Sequence, residues 1–163
     1  MKDLLDKLSS YNLFNYLLPG ILLALAIDRF ALIRVVQKDI AIGIFLYYFL
    51  GSIVSRVGSL IVEPFLLKIK FIVYASYSDY LAAAKIDPKL EVLTEQNNMY
   101  RTFLGLVFTF VFIYLVQTWA PIMPGPLKST KAIYFASIFM LYLLSYKKQT
   151  AYIRRRVDSN IKR

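Results

Sequence analysis

Arg56 and Glu63 are the residues best placed to do chemistry in this sequence. They interrupt an otherwise apolar stretch, Ile40–Phe65, in which only small Gly and Ser break the run from Ile40 to Val54. Arg56 then appears without an acidic neighbour, and Glu63-Pro64 closes the stretch. An arginine at a bilayer centre costs roughly 2.5–3.5 kcal/mol on insertion scales, and less near an interface. Arg56 is therefore expected either to mark the depth at which the helix leaves hydrocarbon or to be a paired charge inside a bundle. Glu63 follows seven residues later, about two turns of α-helix and hence on the same face. That is too far for an ideal direct contact within one helix, so the two are expected to pair between subunits or with other helices. Such a pair lines an ion or proton path, or sets the register of an oligomer. The plainer alternative is an Arg56 that snorkels from the cytoplasmic end of the helix.

Other chemistry is narrowed by what is missing. The 163 residues contain no Cys and no His, which removes thiol nucleophiles, disulfides, imidazole bases and Cys/His metal sites. No Gly-rich phosphate loop, GxSxG or metal-binding spacing occurs. The expectation is a non-enzymatic protein with no catalytic residue, cofactor or metal. Three further groups stand out. Gly51, Ser55 and Ser59 recur every four residues, a small-xxx-small pattern that lets membrane helices approach closely. Gln96, Asn97 and Asn98 form a polar cluster that would line a vestibule or dock a partner, the alternative being a solvated helix face. Arg154, Arg155 and Arg156 could hold anionic headgroups, each worth about 1 kcal/mol near such a surface; as plain topology determinants they need no ligand. The basic balance, net +10, comes with no nucleic-acid-binding pattern, so no direct nucleic-acid partner is expected.

The elements that position these residues are read from the apolar runs. The composition is 58 % hydrophobic and 16 % aromatic, where about 45–50 % apolar is usual for soluble domains. Four runs are expected to span a membrane: residues 11–27, 40–61, 102–119 and 132–148. Pro19 removes one backbone donor and is expected to kink the first. Met1–Ser10 has a short leucine face that suits a helix on the membrane surface, and the connection 28–39 an interfacial helical turn. Residues 64–101 form a cytoplasmic helical extension between the second and third spans, with a break near Ser76 and Ser78. Asp87-Pro88 then starts a helix that runs unbroken into the third span. Pro121, Pro124, Gly125 and Pro126 make a rigid turn. The tail, 147–163, carries seven Lys/Arg against one Asp. Positive charge stays on the cytoplasmic side, so both termini are expected in the cytoplasm. The fold class is thus an all-α membrane protein of one domain, 1–163, with four transmembrane helices.

The fragments SYNLFNYLLPG (Ser10–Gly20), SRVGSLIVEP (Ser55–Pro64) and DPKLEVLTEQNNMYR (Asp87–Arg101) resemble those of small, uncharacterised multi-pass bacterial membrane proteins associated with anti-phage defence genes. The resemblance implies a membrane component of a multi-gene bacterial system, acting by permeabilising the membrane or by anchoring a cytosolic partner. Four short spans enclose little, so a homo-oligomer surrounded by membrane lipids is expected, with the second helix near the symmetry axis. The expected function is a channel-like or membrane-disrupting component of the inner membrane. The alternative is an anchor or scaffold that recruits a cytosolic protein.

Overall fold

The computed structural model describes residues 12–30, 34–122 and 130–161, and every regular element among them is helical. In the last helix the side chains of 132, 135, 146 and 149–161 lie outside the description. So do the expected surface helix Met1–Ser10 and residues 123–129 of the Pro-rich turn.

A π-turn, Leu13–Leu17, leads into α1, Leu18–Arg29. The cause is Pro19: a proline has no N–H and its ring clashes with the carbonyl four residues back. The backbone widens to avoid the clash, and the Leu18 N–H reaches back to Leu13 O. The same device recurs further on. Helix α2, Ile40–Val57, passes into a second π-turn, Gly58–Val62, directly ahead of Glu63-Pro64. Helix α3, Glu63–Lys68, continues it. At the start of α2, Asp39 Oδ1 accepts the Ile42 N–H at 3.0 Å, satisfying one of the orphan donors of a first turn.

Helix α3 ends in a Schellman motif. Phe71 N–H bonds Leu66 O at 2.9 Å and Lys70 N–H bonds Leu67 O at 3.1 Å. Lys70 occupies the left-handed position, φ 58°, where glycine is usual. Residues 69–76 are not helical, so the break expected near Ser76 and Ser78 begins earlier and is longer. Ser76 Oγ then accepts the Asp79 N–H at 3.1 Å and caps α4, Tyr77–Ala84. Residues 34–39 are likewise irregular, in place of the helical turn expected there.

Helix α5, Lys89–Trp119, starts where Asp87-Pro88 announced it, with Asp87 Oδ1 accepting the Lys89 N–H at 2.9 Å. Its 31 residues span about 46 Å at 1.5 Å per residue. A 3₁₀ turn, Ala120–Ile122, follows it, and α6, Thr130–Ile161, covers both the fourth apolar run and most of the basic tail.

Two glycine crossings hold the helices together. On Gly20 a Cβ would lie 1.7 Å from Tyr47 O, and on Gly51 1.7 Å from Tyr16 O. Only hydrogen fits, so α2 lies backbone to backbone against α1 and the π-turn before it. At the second crossing, a Cβ on Gly58 would meet Arg101 O at 2.6 Å and one on Gly105 would meet Val54 O at 2.5 Å. Leu23, Ile27 and Val54 are buried around the first, and Ile53, Val57 and Leu141 between α2 and α6. Helix α4 docks on α5 through Tyr80 and Thr94, hydroxyls 3.2 Å apart. Helix α6 lies against α2 through a 2.7 Å bond between the Ser52 and Tyr142 hydroxyls and a Phe49–Tyr142 ring stack. The helical stretches Ile40–Lys68 and Lys89–Ile122 are long and apolar enough to cross a membrane.

Candidate functional site

The π-turn ahead of Pro64 creates the site. In an α-turn the Ser59 carbonyl would receive the Glu63 N–H. Here that N–H goes to Gly58 O, and Pro64, next in line, has none to give. Lys148 of α6 takes the carbonyl left open: its Nζ donates to Ser59 O at 2.6 Å and to Ser59 Oγ at 2.9 Å. The same ammonium lies 3.7 Å from Glu63 Oε1, while Arg101 Nη1 of α5 donates to Glu63 Oε2 at 2.6 Å. One carboxylate thus joins three helices. The side chains of Glu63, Arg101 and Lys148 are 13, 22 and 31 % exposed, sheltered enough that salt screens the pairs only weakly. The Nε–H of Arg101 is buried and has no acceptor among the described residues.

Arg56 stands apart from this arrangement. It is partly exposed and forms no ion pair among the described residues, although its charge acts on Lys148. The structure therefore does not bring Arg56 and Glu63 together as a pair within the chain; Glu63 is engaged by other helices. Two turns already separate them along the helix, too far for direct contact, and phase separates them further. Seven residues of α-helix return to the same face, but a π-turn takes one more residue per turn, so Glu63 falls behind the face of Arg56.

A second polar contact lies one residue beyond Arg101. Thr102 Oγ1 is buried, 2.7 Å from Asn15 Oδ1, 2.9 Å from Asn98 O and 3.4 Å from Ser55 Oγ. It joins α5 to α2 and to the π-turn ahead of α1. Gly51, Ser55 and Ser59 are all buried, and each makes its contact inside the chain: Gly51 beneath Tyr16 O, Ser55 near Thr102, Ser59 on Lys148. Gln96 and Asn97 are exposed near the start of α5, where Asn97 Nδ2 donates to Tyr74 Oη at 3.3 Å. The backbone of Arg154, Arg155 and Arg156 belongs to α6, and their side chains lie outside the described residues.

Four residues that carry these contacts, Asn15, Arg101, Thr102 and Lys148, did not stand out as site residues in the sequence. For two of them a signal exists, and it is depth. A lone glutamate at the end of one apolar run calls for cations at the same depth on its neighbours. Arg101 opens the third run and Lys148 closes the fourth. The Asn15–Thr102 contact leaves no such mark.

Helices α1, α2, α5 and α6 also line a half-open cavity of about 340 Å³, bounded by Leu23, Ile53, Val57, Phe112, Ile138 and Leu141 among others, with Thr109, Tyr134 and Ser137 as its polar groups. Among the described residues no cluster of acidic side chains could hold a metal ion. What the arrangement supplies is neutralisation of one partly buried carboxylate and a lock between helices. No protein-family model, curated protein or solved structure matches the chain.

Proposed function

We propose that this is a non-enzymatic, oligomeric protein of the bacterial inner membrane. In this proposal it crosses the bilayer four times with both termini in the cytoplasm, and serves as a scaffold that holds a cytosolic partner at the membrane. The observation that carries the proposal is the length of α5. Its span of about 46 Å exceeds a hydrocarbon core of about 30 Å, so roughly ten residues project beyond it. Helix α4 docks on that projection, and Ile86 and Val92 are 84 % and 54 % exposed there. Apolar side chains on a helical platform fit a protein partner. Further support comes from the outward face of α5, where Leu104, Val107, Val111 and Leu115 are exposed at helical spacing, as a lipid-facing stripe would be. The test is co-expression with the products of the neighbouring genes, followed by pull-down of the wild type and of a double variant, Ile86→Ser with Val92→Ser. The expected result is a partner retained by the wild type and lost by the variant. Recovery of none would sink the scaffold. Reporter fusions at Arg163 and in the 121–131 turn should give opposite compartment signals; identical signals would overturn four spans.

Arg56 favours a second function, an oligomeric channel or membrane-disrupting effector. An arginine near the end of an apolar helix with no ion pair among the described residues is suited to an intersubunit vestibule. Ion flux from liposomes tests this: Arg56→Leu should change flux more than insertion, and vesicles that stay tight under every activating condition would exclude it.

A further inference from the structure

The charge cluster is unbalanced. Arg101 and Lys148 both engage one carboxylate, Glu63, and Arg56, one turn before the Ser59 that receives Lys148, adds a third cation with no further acid beside them among the described residues, while the buried Nε–H of Arg101 lacks an acceptor among the described residues. Surplus positive charge at the edge of hydrocarbon is costly unless an anion completes it. The apolar cavity begins beside the same cluster. Val57, next to Arg56, and Ile61, two residues before Glu63, both line it. On the other two helices, Phe108 and Leu141 line it seven residues from Arg101 and Lys148, about 10 Å along the axis. One leaflet of hydrocarbon is roughly 15 Å deep, so a chain hanging from the cluster would pass the cavity.

We propose that Arg56, Arg101 and Lys148, together with the cavity between α1, α2, α5 and α6, form a binding site for an anionic phospholipid, with the phosphate at the cations and an acyl chain in the cavity. The phosphate oxygens accept from the partly exposed Arg56 guanidinium and lie close to the charges of Arg101 and Lys148, the Glu63 bonds staying in place. A free phosphate would meet the same cations, but only a lipid uses the cavity, and this distinguishes the two sources. The site differs from the tail arginines 154–156, which lie beyond it on α6. It rests on the proposal that the chain is embedded in a bilayer, not on its working as a scaffold.

The test uses the purified full chain in detergent. Native mass spectrometry counts retained lipid after addition of phosphatidylglycerol or phosphatidylcholine, and thermal stabilisation is read in parallel with either lipid or inorganic phosphate. The expected result is preferential retention of phosphatidylglycerol, reduced roughly fivefold by Arg56→Gln and reduced again by Ile138→Phe, which fills the cavity. Arg56→Gln breaks no ion pair among the described residues, so it should fold; circular dichroism confirms this. Equal retention of the two lipids would overturn the proposal, as would undiminished preference in Arg56→Gln. Stabilisation by inorganic phosphate equal to that by phosphatidylglycerol would replace the lipid with a free anion. Carbonate extraction of cell membranes separates these failures from failure of the membrane assignment: a chain that resists extraction yet shows no lipid preference sinks only this inference.

Discussion

Replacing Gly51 by Ala tests the packing at its tightest point. The added methyl would sit 1.7 Å from Tyr16 O and 2.9 Å from Tyr16 Cα. An ordinary carbon–oxygen contact is about 3.3 Å or more, so the two segments must part by roughly 1.5 Å. A gap of 0.5–1 Å already forfeits a quarter to a half of each contact's attraction, and forcing extra volume into a packed core typically costs about 1–3 kcal/mol. Asn15 adjoins Tyr16, so the displacement also pulls on its 2.7 Å bond with Thr102, worth about 1 kcal/mol. Against these losses, Ala gains about 1 kcal/mol of helix propensity over Gly. The net expectation is a destabilisation of about 1–3 kcal/mol. Gly43 on the same helix is the control. There a Cβ meets the Tyr47 ring at 3.1 Å, a side chain that can shift, so Gly43→Ala should be neutral or stabilising by up to about 1 kcal/mol. Thermal unfolding in detergent, followed by Trp119 fluorescence, ranks the three proteins. A Gly51→Ala protein that melts at or above the wild type, with Gly43→Ala melting below it, would refute the reasoning.

Glu63→Gln should cost about 2 kcal/mol in the same melt, because it leaves Arg101 and Lys148 facing each other; a fully buried pair would cost about 3–5, and partial exposure reduces that. An unchanged melt would show that the carboxylate does not hold α6. Thr102→Val should cost about 1–3 kcal/mol by leaving Asn15 without its donor, with Thr102→Ser recovering most of the loss; equal loss in both would point to packing instead. Lys70→Gly should stabilise by about 1 kcal/mol, since φ 58° burdens a side chain and suits glycine. A lower melt for that variant would contradict the Schellman account.

The elements that depend on local chemistry were legible in the chain. Asp87-Pro88 announced α5, the alternation of apolar runs and breaks located α2, and the small residues at 51, 55 and 59 marked a buried helix face. The candidate site was legible only in part. Glu63 stood out, but its partners did not, because counting residues assumes α-turns throughout. Pro64 widens the turn before it, and one extra residue in that turn redirects the carboxylate toward α5 and α6. Proline 19 does the same near Asn15. In both places the sequence names the disturbance, and the surrounding helices decide whether the backbone kinks or widens.

The cluster at Glu63 also orders events during synthesis. The carboxylate leaves the ribosome 38 residues ahead of Arg101, and Ser59 precedes Lys148 by 89. At about 5–20 residues per second, the first cation follows roughly 2–8 s later and the ammonium roughly 4–18 s after Ser59. Until then an unmatched acid and an open carbonyl wait at the end of α2. Helix α5 brings the first neutralising charge together with the glycine at 105 that lets it close on α2. Helix α6 can seal the Ser59 carbonyl only afterwards, so that contact is the last of the cluster to become available as the chain grows.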